Sequence, residues 1–175
     1  MAAKLNRSHE HKTFSDIARL FAERKAALKY FCVPGHVYFS RYSEKELQER
    51  LSYHLQEAEY DASLALLAAM EAAFRLDFDY RQKKRLKDTR SREVRRLSGS
   101  PRGEFNYEIS INALLNTLKL DPFVSDRIIT LLKNCFKYRN WLAHGRYWHL
   151  NIGADKPAFS DIYQLALAIE DRLYR

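Results

Sequence analysis

Glycine, proline and cysteine are scarce in this sequence. Its 175 residues include 5 glycines, 4 prolines and 2 cysteines. A sheet-rich fold needs many tight turns, where glycine and proline are favoured, so their scarcity favours helices. Cys32 and Cys135 stand among apolar and aromatic neighbours, as buried free thiols usually do. We therefore expect an α-helical protein that keeps its thiols free in a reducing compartment.

Long uncharged stretches are also missing. No run approaches the roughly 18 apolar residues of a membrane-spanning helix, and the first residues lack the apolar core of a signal peptide. We expect a soluble, cytoplasmic protein without a membrane partner. Apolar residues still make up 46% of the chain and aromatic residues 13%, enough for one compact core. The sequence predicts a flexible N-terminus over residues 1–12 and a single domain over residues 13–175.

Positive charge is concentrated in one segment. Residues 81–102 contain ten lysines and arginines against two carboxylates, which equals the whole net charge of +8. Such a segment suits RNA, because cations that neutralise phosphates release counterions. A solvated, partly disordered arm is the alternative. The candidate RNA-binding residues are Lys83, Lys84, Arg85, Lys87, Arg95 and Arg96.

Two helices are predicted in the first half of the chain. Apolar residues recur at helical spacing from Phe14 to a break at Pro34. Ser43 and Glu46 have the spacing of a capping box, which predicts the start of a second helix. That helix becomes apolar on almost every face, as expected of a buried central helix, and the pattern continues through Leu86.

Three further helices are predicted after a break at residues 98–101. A short one covers residues 109–120. The next is capped by Ser125 and closed by Gly145, where a left-handed backbone is easy. Ser160 is predicted to cap the last, amphipathic helix. Five or six helices in one bundle give an all-α fold as the most economical architecture.

Familiar enzyme signatures are missing as well. The six histidines show none of the spacings typical of metal sites. The sequence also has no phosphate-binding glycine loop and no serine or cysteine in a recognisable nucleophile motif. We therefore predict neither a metal nor a cofactor.

Polar residues end an otherwise apolar helix near residue 140. Arg139 and His144 lie about 140° apart around the axis, yet both can line one groove at the helix end. An arginine can stabilise charge on a phosphate, and a histidine can act as general acid or base, which together would cleave RNA without metal. The alternative is that His144 caps helix carbonyls and Arg139 is a solvated surface residue. Tyr147 and Trp148 either stack on bases or cover the edge of the core.

Glu71 is an unusual carboxylate in an apolar segment. If it is buried, it needs a cation. Arg75, four residues later, is the structural candidate by helix geometry, whereas Arg139 from a neighbouring helix is the functional candidate. Asp77 and Arg81 have the same four-residue spacing and the same structural interpretation.

The segment FKYRNWLAHGRYW, residues 136–148, resembles the HEPN superfamily. That family is marked by an Arg, four to six residues and a His near the end of a late helix, and here four residues separate Arg139 from His144. Asn140 is the polar residue that often follows the Arg. The earlier block AMEAAFRLDF, residues 69–78, is similar to a block in a bacterial HEPN-like branch, so the resemblance covers about residues 65–175.

The resemblance implies a helical bundle that often dimerises, so that two Arg/His pairs face one cleft. It also implies a metal-independent endoribonuclease of a toxin, antiviral or RNA-processing system, with RNA as substrate and a possible antitoxin or other protein partner. The candidate site residues are Arg139, His144 and Asn140 as catalytic, and Glu71, Arg75 and Tyr147 as supporting.

One position departs from the family. A toxin subgroup has His-x-Tyr, whereas Arg146 stands at that place here and Tyr147 follows one residue later. This departure argues against membership in that subgroup. The alternative function is a noncatalytic module that binds RNA or nucleotides or docks another protein. A helix-turn-helix DNA-binding protein ranks third, because no recognition-helix pattern stands out.

Overall fold

A computed structural model describes residues 12–98, 109–153 and 155–173, and these residues form six α-helices and no strand. The predicted all-α bundle of five or six helices is confirmed. A single 3-10 turn, Val37–Phe39, lies in the segment predicted as a loop. The α-helices are α1 (Phe14–Phe31), α2 (Glu44–Lys84), α3 (Thr89–Ser98), α4 (Ile111–Leu118), α5 (Asp126–Ala143) and α6 (Phe159–Glu170).

Four of the helices begin with a side-chain N-cap, at Thr13, Ser43, Ser110 and Ser125. Ser43 accepts a hydrogen bond from the Glu46 N–H, and the Glu46 carboxylate accepts one from the Ser43 N–H at 2.8 Å, so the predicted capping box is confirmed. Ser125 caps α5 as predicted. The predicted cap at Ser160 is wrong, because α6 begins at Phe159 and its N-cap is Ala158. The Ala158 N–H donates a hydrogen bond to the Asp161 carboxylate at 3.3 Å.

The predicted continuation of α2 through Leu86 is also wrong. The helix ends at Lys84, because Arg85 adopts a left-handed backbone with φ of 51°. The chain then turns into α3, a separate helix that apolar periodicity did not reveal. Arg95 of α3 donates a hydrogen bond to the Leu86 carbonyl at 2.8 Å, which holds the turn closed.

A buried ionic network attaches α3 to α2. Asp77, 1% exposed, accepts hydrogen bonds from Arg81 at 3.1 Å and also from Arg90. Arg81 further reaches Ser91, and Arg90 reaches the Arg172 carbonyl beyond α6. The predicted Asp77–Arg81 pair is therefore confirmed. Within residues 81–98, the alternative of a disordered arm is wrong, since two of its cations are structural.

The core surrounds α2, which contacts all five other helices. Its fully buried residues Leu66, Leu67 and Met70 belong to the same cluster as Leu132 of α5 and Ile162 of α6. This arrangement confirms α2 as the central helix of the bundle.

Both cysteines are buried and free, as predicted. Cys32 lies in a small second cluster with Phe39 and Leu47, where α1 ends and α2 begins. None of the helices within the described ranges is long and apolar enough to cross a membrane. The predicted flexible start and the predicted break at residues 98–101 lie largely outside the described residues.

Candidate functional site

A left-handed turn ends α5 and exposes the polar residues. Gly145 has φ of 81° and Arg146 has φ of 62°. The Gly145 N–H binds the Leu142 carbonyl at 3.3 Å, and the Arg146 N–H binds the Trp141 carbonyl at 3.0 Å. These two bonds form a Schellman motif, which glycine favours at its left-handed position. The predicted closure of the helix at Gly145 is confirmed.

His144 occupies the C-cap position directly before this turn. Its backbone N–H binds the Asn140 carbonyl at 3.1 Å, while the residue is exposed to solvent. The imidazole lies 5.9 Å from the Trp148 ring, at an angle of 42°. Within the described ranges the imidazole has no hydrogen-bond partner, so side-chain capping of the helix is not what holds it. The ring is thus available to an external group.

Arg139 is anchored on the α2 side of α5. Its Nη2 lies 3.2 Å from Oε2 of Glu71, and its Nη1 donates to Oδ1 of Asn140 at 3.2 Å. The side chain is 33% exposed, so Arg139 lies at the surface but is held there by these two contacts. A guanidinium has five N–H donors. The Nε–H of Arg139 is buried without a partner among the described residues, so after these two contacts one N–H on each Nη remains for a phosphate.

Glu71 connects Arg139 to a second arginine. Its Oε1 accepts hydrogen bonds from Arg75, at 3.0 Å from Nε and 2.7 Å from Nη2. Arg75 also donates to the Ile109 carbonyl at 3.3 Å, which ties the start of α4 to the same group. The structural and functional partners predicted for Glu71 are therefore both bound, one at each carboxylate oxygen. With a side chain only 19% exposed, Glu71 fixes both guanidinium groups.

The structure joins four of the predicted site residues and leaves two apart. Glu71, Arg75, Arg139 and Asn140 form one connected network. No side-chain hydrogen bond or ion pair among the described residues links that network to the His144 imidazole, as the angular separation along α5 predicts. Tyr147 is 83% exposed, and its ring stands edge-on to Trp148 at 4.7 Å, so it does not support the network either.

The candidate RNA-binding cations fall into two groups. Lys83 pairs with Asp79 of the same helix at 3.0 Å, and Arg96 pairs with Glu93 at 2.6 Å. Arg95 donates a hydrogen bond to the Leu86 carbonyl in the turn after α2. Three exposed cations have no carboxylate partner within the described part of the chain. They are Lys84, Arg85 and Lys87.

Sequence reasoning missed a polar and aromatic cluster beside His144. Arg146 binds Glu57 of α2 through two hydrogen bonds, at 2.7 and 3.0 Å, and lies 4.9 Å above the Tyr60 ring. The hydrogen bond with Glu57 raises the pKa of Arg146. Lys156 lies 4.4 Å above the Trp141 ring. These residues are far apart in the chain and follow no shared periodicity, so no local pattern could have found them.

Across the described ranges, no three histidine, cysteine, aspartate or glutamate side chains lie close enough together to hold a metal ion.

Comparisons of this chain with protein-family models, with curated proteins and with solved structures gave no match.

Proposed function

We propose that this protein is a HEPN-like endoribonuclease that cleaves RNA without a metal ion, as part of a toxin, antiviral or RNA-processing system. The observation that supports it is the pairing of Arg139 with Glu71 at the end of α5, close in sequence to an exposed His144. An arginine held in this way meets a phosphate in a fixed orientation, which lowers the entropic cost of binding the transition state.

The reaction needs one phosphate ligand and proton transfers at two oxygens. His144 removes the proton of the ribose 2′-hydroxyl, and O2′ then attacks the adjacent phosphorus. Arg139 stabilises the charge that develops on the non-bridging oxygens. The bond from phosphorus to O5′ breaks, and a protonated imidazole delivers a proton to O5′. The products are a 2′,3′-cyclic phosphate and a free 5′-hydroxyl, so no water is consumed in this step.

A dimer supplies the groups that one chain does not bring together. Arg139 faces Glu71 of α2, whereas the His144 side chain lies at the end of α5 and contacts neither of them. In a homodimer, two such helix ends enclose one cleft, in which one imidazole accepts a proton and the other donates one. The exposed cations Lys84, Arg85 and Lys87 would attract the RNA backbone, since contacts to phosphate position a strand without reading its sequence.

The test compares wild type with Arg139→Ala and His144→Ala on a labelled single-stranded RNA in excess chelator. We expect wild type to leave cyclic phosphate ends, and each variant to lose activity by about 100-fold or more. Arg127→Ala, on the exposed face of α5, and His54→Ala are matched controls that should keep full activity. Circular dichroism melting establishes that every variant is folded.

Two results would contradict the nuclease. One is an absence of cleavage by wild type while RNA binding survives both substitutions, which favours the noncatalytic binding module and a search for its protein partner. The other is cleavage that persists in both folded variants, which would move the chemistry to other residues.

A further inference from the structure

A cavity lies beyond the end of α5. Its volume is about 480 Å³, within the range of small-ligand sites. It is bounded by the end of α5 and by the loop that follows, with Trp141 on the helix and Trp148 on the loop. The Trp141 indole N–H donates to the Trp148 carbonyl at 2.7 Å, so the loop is fixed to the helix at this point.

The lining of the cavity combines aromatic rings with a free cation. Tyr147 and Trp148 are 83% and 37% exposed, so both rings are accessible from solvent. Arg146 is neutralised by Glu57, whereas Lys156 has no carboxylate partner within the described ranges and rests on the Trp141 ring. Aromatic faces bind nucleobases by stacking, and an uncompensated ammonium binds phosphate.

The position of the cavity connects it to the proposed chemistry. His144 does not line the cavity, but its imidazole lies 5.9 Å from the Trp148 ring, which does, so a base stacked on Trp148 would lie near His144. Asp155, also in the lining, can accept hydrogen bonds from an exocyclic amino group.

We infer that this cavity binds the base of an unpaired nucleotide of the RNA substrate, with Tyr147 and Trp148 as the stacking surface and Lys156 on the adjoining phosphate. The choice of RNA as ligand rests on the proposed function. Because a duplex keeps its bases stacked and paired, such a cavity selects single strands.

The two tryptophans of the chain provide a direct readout, since both line the cavity. Their fluorescence is followed while the adenosine, guanosine, cytidine or uridine 5′-monophosphate is added to the full-length protein. We expect at least one nucleotide to quench the emission with saturation, and ribose 5-phosphate, which lacks a base, to leave it unchanged.

Variants separate the roles of the two kinds of group. Tyr147→Ala should weaken nucleotide binding about tenfold, the size expected for one lost stacking partner. Lys156→Ala should weaken binding of the monophosphate while leaving that of the corresponding nucleoside unchanged. The controls are Tyr30→Ala, near the end of α1, and Lys45→Ala, near the start of α2. Both residues are exposed and neither lines the cavity, so both variants should bind nucleotide like wild type.

The inference is overturned by a protein whose tryptophan emission does not respond to millimolar nucleotide, or by affinities that neither Tyr147→Ala nor Lys156→Ala changes. Its failure differs from that of the proposed nuclease. If the protein cleaves RNA through Arg139 and His144 but binds no nucleotide, the inference about the cavity is wrong and the proposed nuclease stands. Nucleotide binding with the expected variant effects, in a protein that cleaves nothing, removes only the nuclease.

Discussion

Glu71 sets the orientation of Arg139. Each carboxylate oxygen carries one arginine, Arg75 on Oε1 and Arg139 on Oε2. All three side chains are partly buried, with exposed fractions of 19% to 33%, so the pairs are less screened by solvent than surface ion pairs. Glu71 is therefore a positioning residue for the guanidinium that we expect to meet phosphate.

Glu71→Gln tests this role, because it keeps the shape of the side chain and removes its charge. We expect RNA cleavage to fall by about 10- to 100-fold, since small displacements of a catalytic group have effects of this size. The expected change lies in kcat, measured with saturating single-stranded RNA. Glu93→Gln, which removes the exposed partner of Arg96, is the matched control. An unchanged kcat for Glu71→Gln would show that the orientation of Arg139 does not limit the reaction.

At the scale of elements, one buried carboxylate of α2 binds an arginine of α3 as well as one of its own helix. Asp77 serves both Arg81 and Arg90, and its loss would leave two buried guanidinium groups without their shared anion. We expect Asp77→Asn to lower the free energy of unfolding by about 3 kcal/mol, measured by urea denaturation. Asp61→Asn is the control, since Asp61 pairs with Arg24 in solvent and should change stability by under about 1 kcal/mol. Equal effects of the two substitutions would contradict a structural role for Asp77.

The capping box of α2 makes stability depend on pH in the acid range. Hydrogen bonds from Ser43 hold the pKa of Glu46 below its ordinary value of 4.5. Because the folded pKa is lower than the unfolded one, Glu46 stabilises the fold at pH values above about 4.5, and this contribution is lost as the pH falls through the folded pKa. Asp16 behaves in the same way through Thr13 at the start of α1.

We therefore expect the Tm to fall as the pH is lowered from 5 to 3, and Glu46→Gln to reduce the steepness of that fall. Thermal melts followed by circular dichroism across this range measure it. Glu49→Gln, an exposed residue of the same helix, should leave the steepness unchanged. A Tm in wild type that does not change over this range would contradict the prediction.

At the scale of the whole molecule, the proposed cleft requires a second copy of the chain. We expect light scattering after gel filtration to give the mass of a dimer at tens of micromolar. Mixing inactive Arg139→Ala with inactive His144→Ala then tests whether the two residues act across the interface. A single cleft that needs both imidazoles would stay inactive in the mixed dimers. Two separate sites, each with Arg139 from one copy and His144 from the other, would regain about a quarter of wild-type activity, because about half of the dimers are mixed and each has one intact site. A fully active monomer would remove the shared cleft.

Most helices could be predicted from the sequence because their signals are local. Ser43 and Glu46 act over one helical turn, and Gly145 needs only its own backbone freedom to close α5. The errors also have local causes. Arg85 adopts a left-handed backbone that its residue type does not indicate, so the end of α2 could not be located. Ser160 has a good capping side chain, yet the N-cap of α6 is Ala158, whose backbone N–H donates a hydrogen bond to the Asp161 carboxylate.

The candidate site could likewise be predicted only where its signals are local. The sequence identified Arg139, Asn140 and His144 at the end of a helix, because their spacing is a local property of the chain. The sequence offered Arg75 and Arg139 as alternative partners of Glu71, and only the packing of α5 against α2 shows that Glu71 binds both. Packing also brought Glu57 onto Arg146 across 89 residues. The same packing enclosed the cavity beside His144. Helix periodicity and capping arise from interactions within a few residues, whereas these contacts depend on how the helices are arranged around α2, which the order of residues along the chain does not display.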